Sequence, residues 1–186
     1  MIAEAKNLPR RIQIPGTTQV NVTVTVTPPQ GMGQPVVTFT GLNDNHNQRI
    51  ETETADFTLT MVLAGEGSAT FAPLTLVPGP ITWLSPGQLQ EVPQPSYITD
   101  LALSQDQLTL TFTDTNTSTV PGIDVLVSFL INYNYIAPGG EPMLFTSRDI
   151  LFSSPDPTII NVDPPVSLAE PARAGRQRAG SRWKSS

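Results

Sequence analysis

Residues 19–27 read QVNVTVTVT, with Val20, Val22, Val24 and Val26 alternating against Asn21, Thr23, Thr25 and Thr27. Successive side chains of a strand point to opposite faces, so strict period-two alternation predicts a half-buried strand. Pro28-Pro29 ends it. A second strand is predicted over 35–41, where Val37 and Phe39 alternate with Thr38 and Thr40. Segment 42–54, LNDNHNQRIETET, has no apolar rhythm and reads as a polar loop. Residues 55–63 restore it with Phe57, Leu59 and Met61, Gly65-Glu66-Gly67 turns the chain, and 68–77 is a strand region broken by Pro73.

Residues 78–95 are proline-rich around Ile81-Thr82-Trp83-Leu84. Proline cannot donate to a ladder, so this segment is expected to be an irregular edge strand or a crossover between sheets. The clearest hairpin joins 97–104 to 107–114 through the short polar linker Gln105-Asp106. A polar loop at 115–122 precedes a long strand at 123–136. There Val125, Val127, Phe129, Ile131, Tyr133 and Tyr135 share a face, and Leu126 and Leu130 point the other way, which predicts burial on both sides. Pro138-Gly139-Gly140 turns the chain into a last strand at 143–152. Seven or eight short strands separated by turn signals predict an all-β, immunoglobulin-like antiparallel β-sandwich. The sandwich is expected over 17–165, between an N-terminal arm at 1–16 and a C-terminal arm at 166–186 that reads as disordered.

Composition sharpens this picture. Pro (19) and Gly (13) are abundant, and only 14% of the 186 residues are charged. There is no cysteine, which excludes disulfides, thiolate metal sites and cysteine nucleophiles. Charge is segregated. Residues 1–170 carry sixteen acids and five bases, whereas 171–186 carry no acid and five bases: Arg173, Arg176, Arg178, Arg182 and Lys184. An acidic body repels a phosphate backbone, so nucleic-acid binding by the domain is not expected. The N-terminus lacks a signal-peptide pattern and no 18-residue apolar stretch occurs. The expected location is therefore cytoplasmic, with export by a signal-independent route still open.

Catalytic chemistry finds little support. The one histidine, His46, lies in the polar run Asn43–Asn47, and no nucleophile motif, metal-ligand spacing or phosphate loop is present. No cofactor is expected. Weak calcium candidates are Asp44, Asp114 and Asn116, although Asn and Asp in such loops ordinarily serve turn chemistry. Sequons occur at Asn21 and Asn116. Two docking elements remain. The basic arm, with Arg173, Arg176, Arg178, Arg182, Trp183 and Lys184, would bind phosphate, an anionic membrane or the acidic body of a neighbouring copy. Trp83 and Tyr97 would serve as an aromatic platform for a carbohydrate.

The segments TDTNTSTVPGIDVLVSFLINYNY and FTSRDILFSSPDPTIINVDPP carry a further signal, a serine-led Asp-Pro followed by apolar residues and Asn, here Ser153 to Asn161. Over roughly residues 98–163 the chain resembles the small bacterial DP-EP family, named for its Asp-Pro motif. It departs from the pattern at Pro155 and in its basic arm. The resemblance implies a bacterial β-sandwich and supplies no activity. Asp156, Pro157 and Asn161 are read as a structural turn motif, with Asp156 capping backbone amides and Pro157 fixing φ, while Ile159 and Ile160 seal the core. The expected function is that of a non-catalytic binding or assembly module whose partner is another protein or another copy of itself. The alternative is a carbohydrate- or surface-binding accessory domain.

Overall fold

A computed structural model describes residues 14–31, 33–42, 47–84, 90–116, 125–147 and 158–161. The regular structure among them is β-strand: β1 (Ile14–Thr27), β2 (Val36–Thr40), β3 (Asn47–Ile50), β4 (Thr52–Leu63), β5 (Ser68–Phe71), β6 (Ile81–Leu84), β7 (Glu91–Val92), β8 (Ile98–Leu103), β9 (Thr109–Asp114), β10 (Val125–Ile136), β11 (Met143–Thr146) and β12 (Thr158–Asn161). They form two sheets. One runs β2-β1-β4-β9-β8, and the other β3-β12-β10-β6-β7, with β5 and β11 also paired to β10. The chain is thus an all-β sandwich with more and shorter strands than the turn signals resolve.

Most pairings are antiparallel, but β1 lies parallel to β4 and β12 parallel to β3. The β1–β4 ladder is long, running from Thr17 opposite Thr54 to Val26 opposite Leu63. Alternation sets its faces. Val20, Val22, Val24 and Val26 are buried, as are Ala55, Phe57, Leu59 and Met61 beside them. Threonines occupy the outer face, and a row of four, Thr40, Thr23, Thr60 and Thr109, crosses four adjacent strands in register.

The two sheets meet over an aromatic core. Phe57 stacks on Phe112 at 4.7 Å within the first sheet, and Phe112 meets Trp83 at 5.6 Å and Phe129 at 6.3 Å across the gap. Trp83 also contacts Phe129 edge-on at 5.8 Å. Edge-to-face rings of this kind align ring edges with π faces and stabilise the pair beyond area burial alone.

Several expected boundaries move. Ile14 already belongs to β1, its amide bonded to Glu51 O at 2.7 Å, so the sheet begins inside the segment read as an N-terminal arm. The supposed polar loop at 42–54 contains β3 and the start of β4, and Gln48 and Ile50 are buried. Tertiary pairing of β3 with β12 overrides the weak local pattern there. Segment Ile81–Leu84 is neither an edge strand nor a crossover. It lies between β10 and β7 with all four side chains buried, because no proline falls within Ile81–Leu84 and Pro80 joins the ladder only as an acceptor. Leu108 alternates with Leu110 and Phe112 in sequence, yet it is 37% exposed just before β9 while those two are buried.

Gly41 shows how the β2 exit is fixed. Its φ is +99°, and a Cβ there would lie 2.1 Å from Asn21 O, so only glycine fits this close backbone crossing.

Candidate functional site

β10 is the organising strand of the second sheet. Ser128 pairs with Thr158 of β12 on one edge and Leu84 of β6 on the other, while Tyr133 pairs with Phe145 of β11 and Phe71 of β5. Each edge is therefore shared by two short strands, and a gap in the ladder is left between them. Both gaps are closed locally. On one edge the Ile131 amide donates to Ser147 Oγ at 3.1 Å. On the other, Asn132 accepts from the Ala72 amide at 2.9 Å and donates its own amide to Pro80 O at 3.0 Å.

Those two bonds are the feet of a loop. Residues 73–79, PLTLVPG, leave and rejoin the sheet at the same β10 residue. The Asn132 side chain ties the returning foot as well, with Nδ2 donating to Gly79 O at 2.7 Å and Thr82 Oγ1 at 2.8 Å. Asn132 is fully buried, and its amide orientation is set because Gly79 O can only accept. Leu76 N donates to Pro73 O at 3.1 Å, adding a turn inside the loop.

The tip is apolar and exposed. Leu74, Leu76 and Val77 are 47%, 43% and 97% accessible. Leaving such side chains in water forgoes roughly 1.5–3 kcal/mol each relative to burial. No charged residue occurs between Glu66 and Glu91, so the loop carries nothing that solvates it strongly. A short, well-tied, apolar excursion on a sheet edge is the arrangement expected of a contact surface.

The β8–β9 turn abuts the outgoing foot. Phe71 N donates to Gln107 O at 2.9 Å, which brings residues 106–108 to the same corner as the loop. Gln107 adopts a left-handed φ of 59°, and Gln107 N returns to Ser104 O at 2.9 Å. Asp106 Oδ1 accepts from the Ser104 hydroxyl and, at 3.0 Å, from Leu108 N. These bonds, the hydroxyl's first, hold the fully exposed Asp106 carboxyl below the usual carboxylate range. The turn thus sets exposed Leu108 and a fixed anionic group beside the strand from which the loop of Leu74, Leu76 and Val77 departs. It belongs to an acidic body: the described residues carry nine Asp and Glu side chains and one base, Arg49.

The residues singled out by sequence fall elsewhere. Trp83 is 4% exposed in the aromatic core, so it cannot stack on a sugar. Its indole was indistinguishable in sequence from a rim aromatic because its four-residue strand carries no alternation. Tyr97 is half-buried, and burial followed by the nearby Asp114 charge pushes its phenol up to about 12. The carbohydrate platform is therefore not assembled. Tyr133 and Tyr135 are core residues, stacked or tilted against Phe145. Asp114 and Asn116 are both buried and form a turn in which Asn116 N donates to Asp114 Oδ1 at 2.7 Å. Burial of Asn116 also removes that sequon from any surface chemistry, whereas Asn21 is exposed on β1. Asp44, His46, Asp156, Pro157 and the basic arm from Arg173 to Lys184 lie outside the described residues. Asn161 closes β12 opposite Val125, and Ile159 is buried in the core.

Among the described residues, no group of three or more His, Asp or Glu is gathered to hold a metal ion, and no helix is long and apolar enough to cross a membrane. The sequence pattern predicts one interrupted strand over 68–77, which hides the apolar loop; its signal is an uncharged Leu-Thr-Leu-Val run enclosed by Pro73 and Pro78. No family model matches the chain, and a search of curated proteins finds no match.

Proposed function

We propose that this sandwich is an immunoglobulin-like, non-catalytic bacterial binding or assembly module that engages another protein or another copy of itself through the 73–79 corner. The observation that carries the reading is Val77, 97% exposed at the tip of a loop whose two feet are bonded to one buried residue. Pre-ordering of this kind lowers the entropic cost of association, and apolar side chains supply its driving force. The acidic body supports a partner with basic groups, since complementary charge speeds encounter and selects against acidic competitors. The basic arm, with Arg173, Arg176, Arg178, Arg182, Trp183 and Lys184, is the second docking element in this proposal. The resemblance to the DP-EP family supports the bacterial assignment.

Light scattering across protein concentration and ionic strength tests the self-association form of the proposal. Association by the wild type that is lost in Val77→Asp is the expected result. A Val77→Asp variant that associates as the wild type does places the contact elsewhere.

A further inference from the structure

The corner around residues 73–79 has a candidate occupant within the chain. Trp183 is flanked by Arg182 and Lys184, an apolar anchor between two cations, which complements apolar side chains beside a carboxylate. We propose that the C-terminal arm folds back onto its own sandwich, with Trp183 seated on Leu74, Leu76 and Val77 and its flanking bases facing Asp106.

Reach favours the same chain over a neighbour. β12 ends at Asn161, paired with Val125 at one end of β10, and the loop's feet clasp Asn132, seven residues further along that strand. At about 3.4 Å per residue the span to be covered is about 24 Å. Trp183 lies 22 residues beyond Asn161. A flexible chain of that length has an r.m.s. end-to-end distance of about 23–28 Å. Effective concentration peaks when tether length matches span, reaching the millimolar range for short tethers. A second copy would have to be present at about that concentration to compete equally.

Charge favours the arrangement too. Asp106 is held in place as an anion by the Ser104 hydroxyl and Leu108 N, and Glu66 is the nearest preceding acid in sequence to the loop. The arm contributes five bases to a body whose described residues carry nine acids and one base. Screening by salt weakens contacts between exposed charges, so docking would loosen at high ionic strength. The arm would then compete with any external partner for the same corner, and this consequence rests on the function proposed above.

The test uses the full chain labelled with fluorotryptophan, which places one fluorine probe at Trp83 and one at Trp183. Trp83 is buried in the core and reports whether the fold is intact. A synthetic peptide of residues 171–186 marks the undocked position of Trp183. The expected result is a Trp183 signal shifted from that of the peptide and unchanged on dilution. It should return to the peptide position in Val77→Asp and at high salt, with the Trp83 signal constant. A wild-type signal already at the peptide position overturns the proposal. So does a shift unaffected by Val77→Asp, which places the arm elsewhere, or one that fades on dilution, which makes the occupant a second copy. The first two results leave the association assay with Val77→Asp standing and the third adds to it, so failure of the arm and failure of the docking corner are distinguishable.

Discussion

β1 hides one face and β10 hides two. In β1 the valines at 20, 22, 24 and 26 are at most 3% exposed, while the alternate Asn and Thr side chains face water. In β10 five consecutive residues, Phe129 to Tyr133, are buried, Leu130 and Asn132 among them on the face away from the core. The first arrangement tolerates substitution on its outer face, because water satisfies whatever the protein does not. The second does not, because a polar group left unmatched there bears its desolvation cost with no water to offset it. Asn132 illustrates the cost: its backbone closes a gap in the ladder and its Nδ2 holds Gly79 O and Thr82 Oγ1, while its Oδ1 is buried without a hydrogen-bond partner among the described residues.

The largest test of the contrast is the aromatic core, where the sheets depend on each other. Trp83→Ala removes a side chain touching both Phe112 and Phe129. A loss of about 3–5 kcal/mol in urea unfolding is expected. Asn132→Ala comes next. It leaves Gly79 O and Thr82 Oγ1 without their donor, and each buried unsatisfied group costs about 1–3 kcal/mol. Faster amide exchange confined to residues 72–82 would show that the loop's feet, and not the core, had loosened.

Asp106→Asn is smaller and depends on pH. The Asp106 pKa is lowered in the folded chain. Its stabilisation is therefore present above the unfolded carboxylate pKa and lost as pH falls through the folded value. Urea midpoints of wild type and Asp106→Asn should differ near neutrality and converge in acid; a constant gap would mean the carboxylate's charge is not what the turn uses. The Tyr97 phenol works in the opposite sense. With its pKa raised to about 12, it contributes stability below the ordinary tyrosine value that is lost as pH rises through about 12. Ultraviolet titration should find Tyr97 ionising near that value.

The smallest effect belongs to the outer face of the first sheet. Thr60→Val, in the centre of the threonine row, should change stability by no more than about 0.5 kcal/mol. A drop comparable to that of Asn132→Ala would erase the distinction between a one-faced and a two-faced strand.

The sequence by itself determined the class of the fold and much of the first sheet. Valine and threonine in strict alternation leave one way to bury β1, and the same holds for Phe57, Leu59 and Met61 in β4. It also determined the long reach and double burial of β10, since Leu130 stands out against the period-two pattern. Which strands pair was decided by the tertiary structure. Nothing in QVNVTVTVT specifies a parallel partner, and β3 becomes a strand only because β12 lies beside it. Short segments such as Ile81–Leu84 and Leu74–Val77 are similar apolar runs between prolines, yet one is buried on all sides and the other stands in water. The difference lies in whether β10 offers a free edge at that position. Edges are properties of an assembled sheet, and no local pattern of residues encodes them.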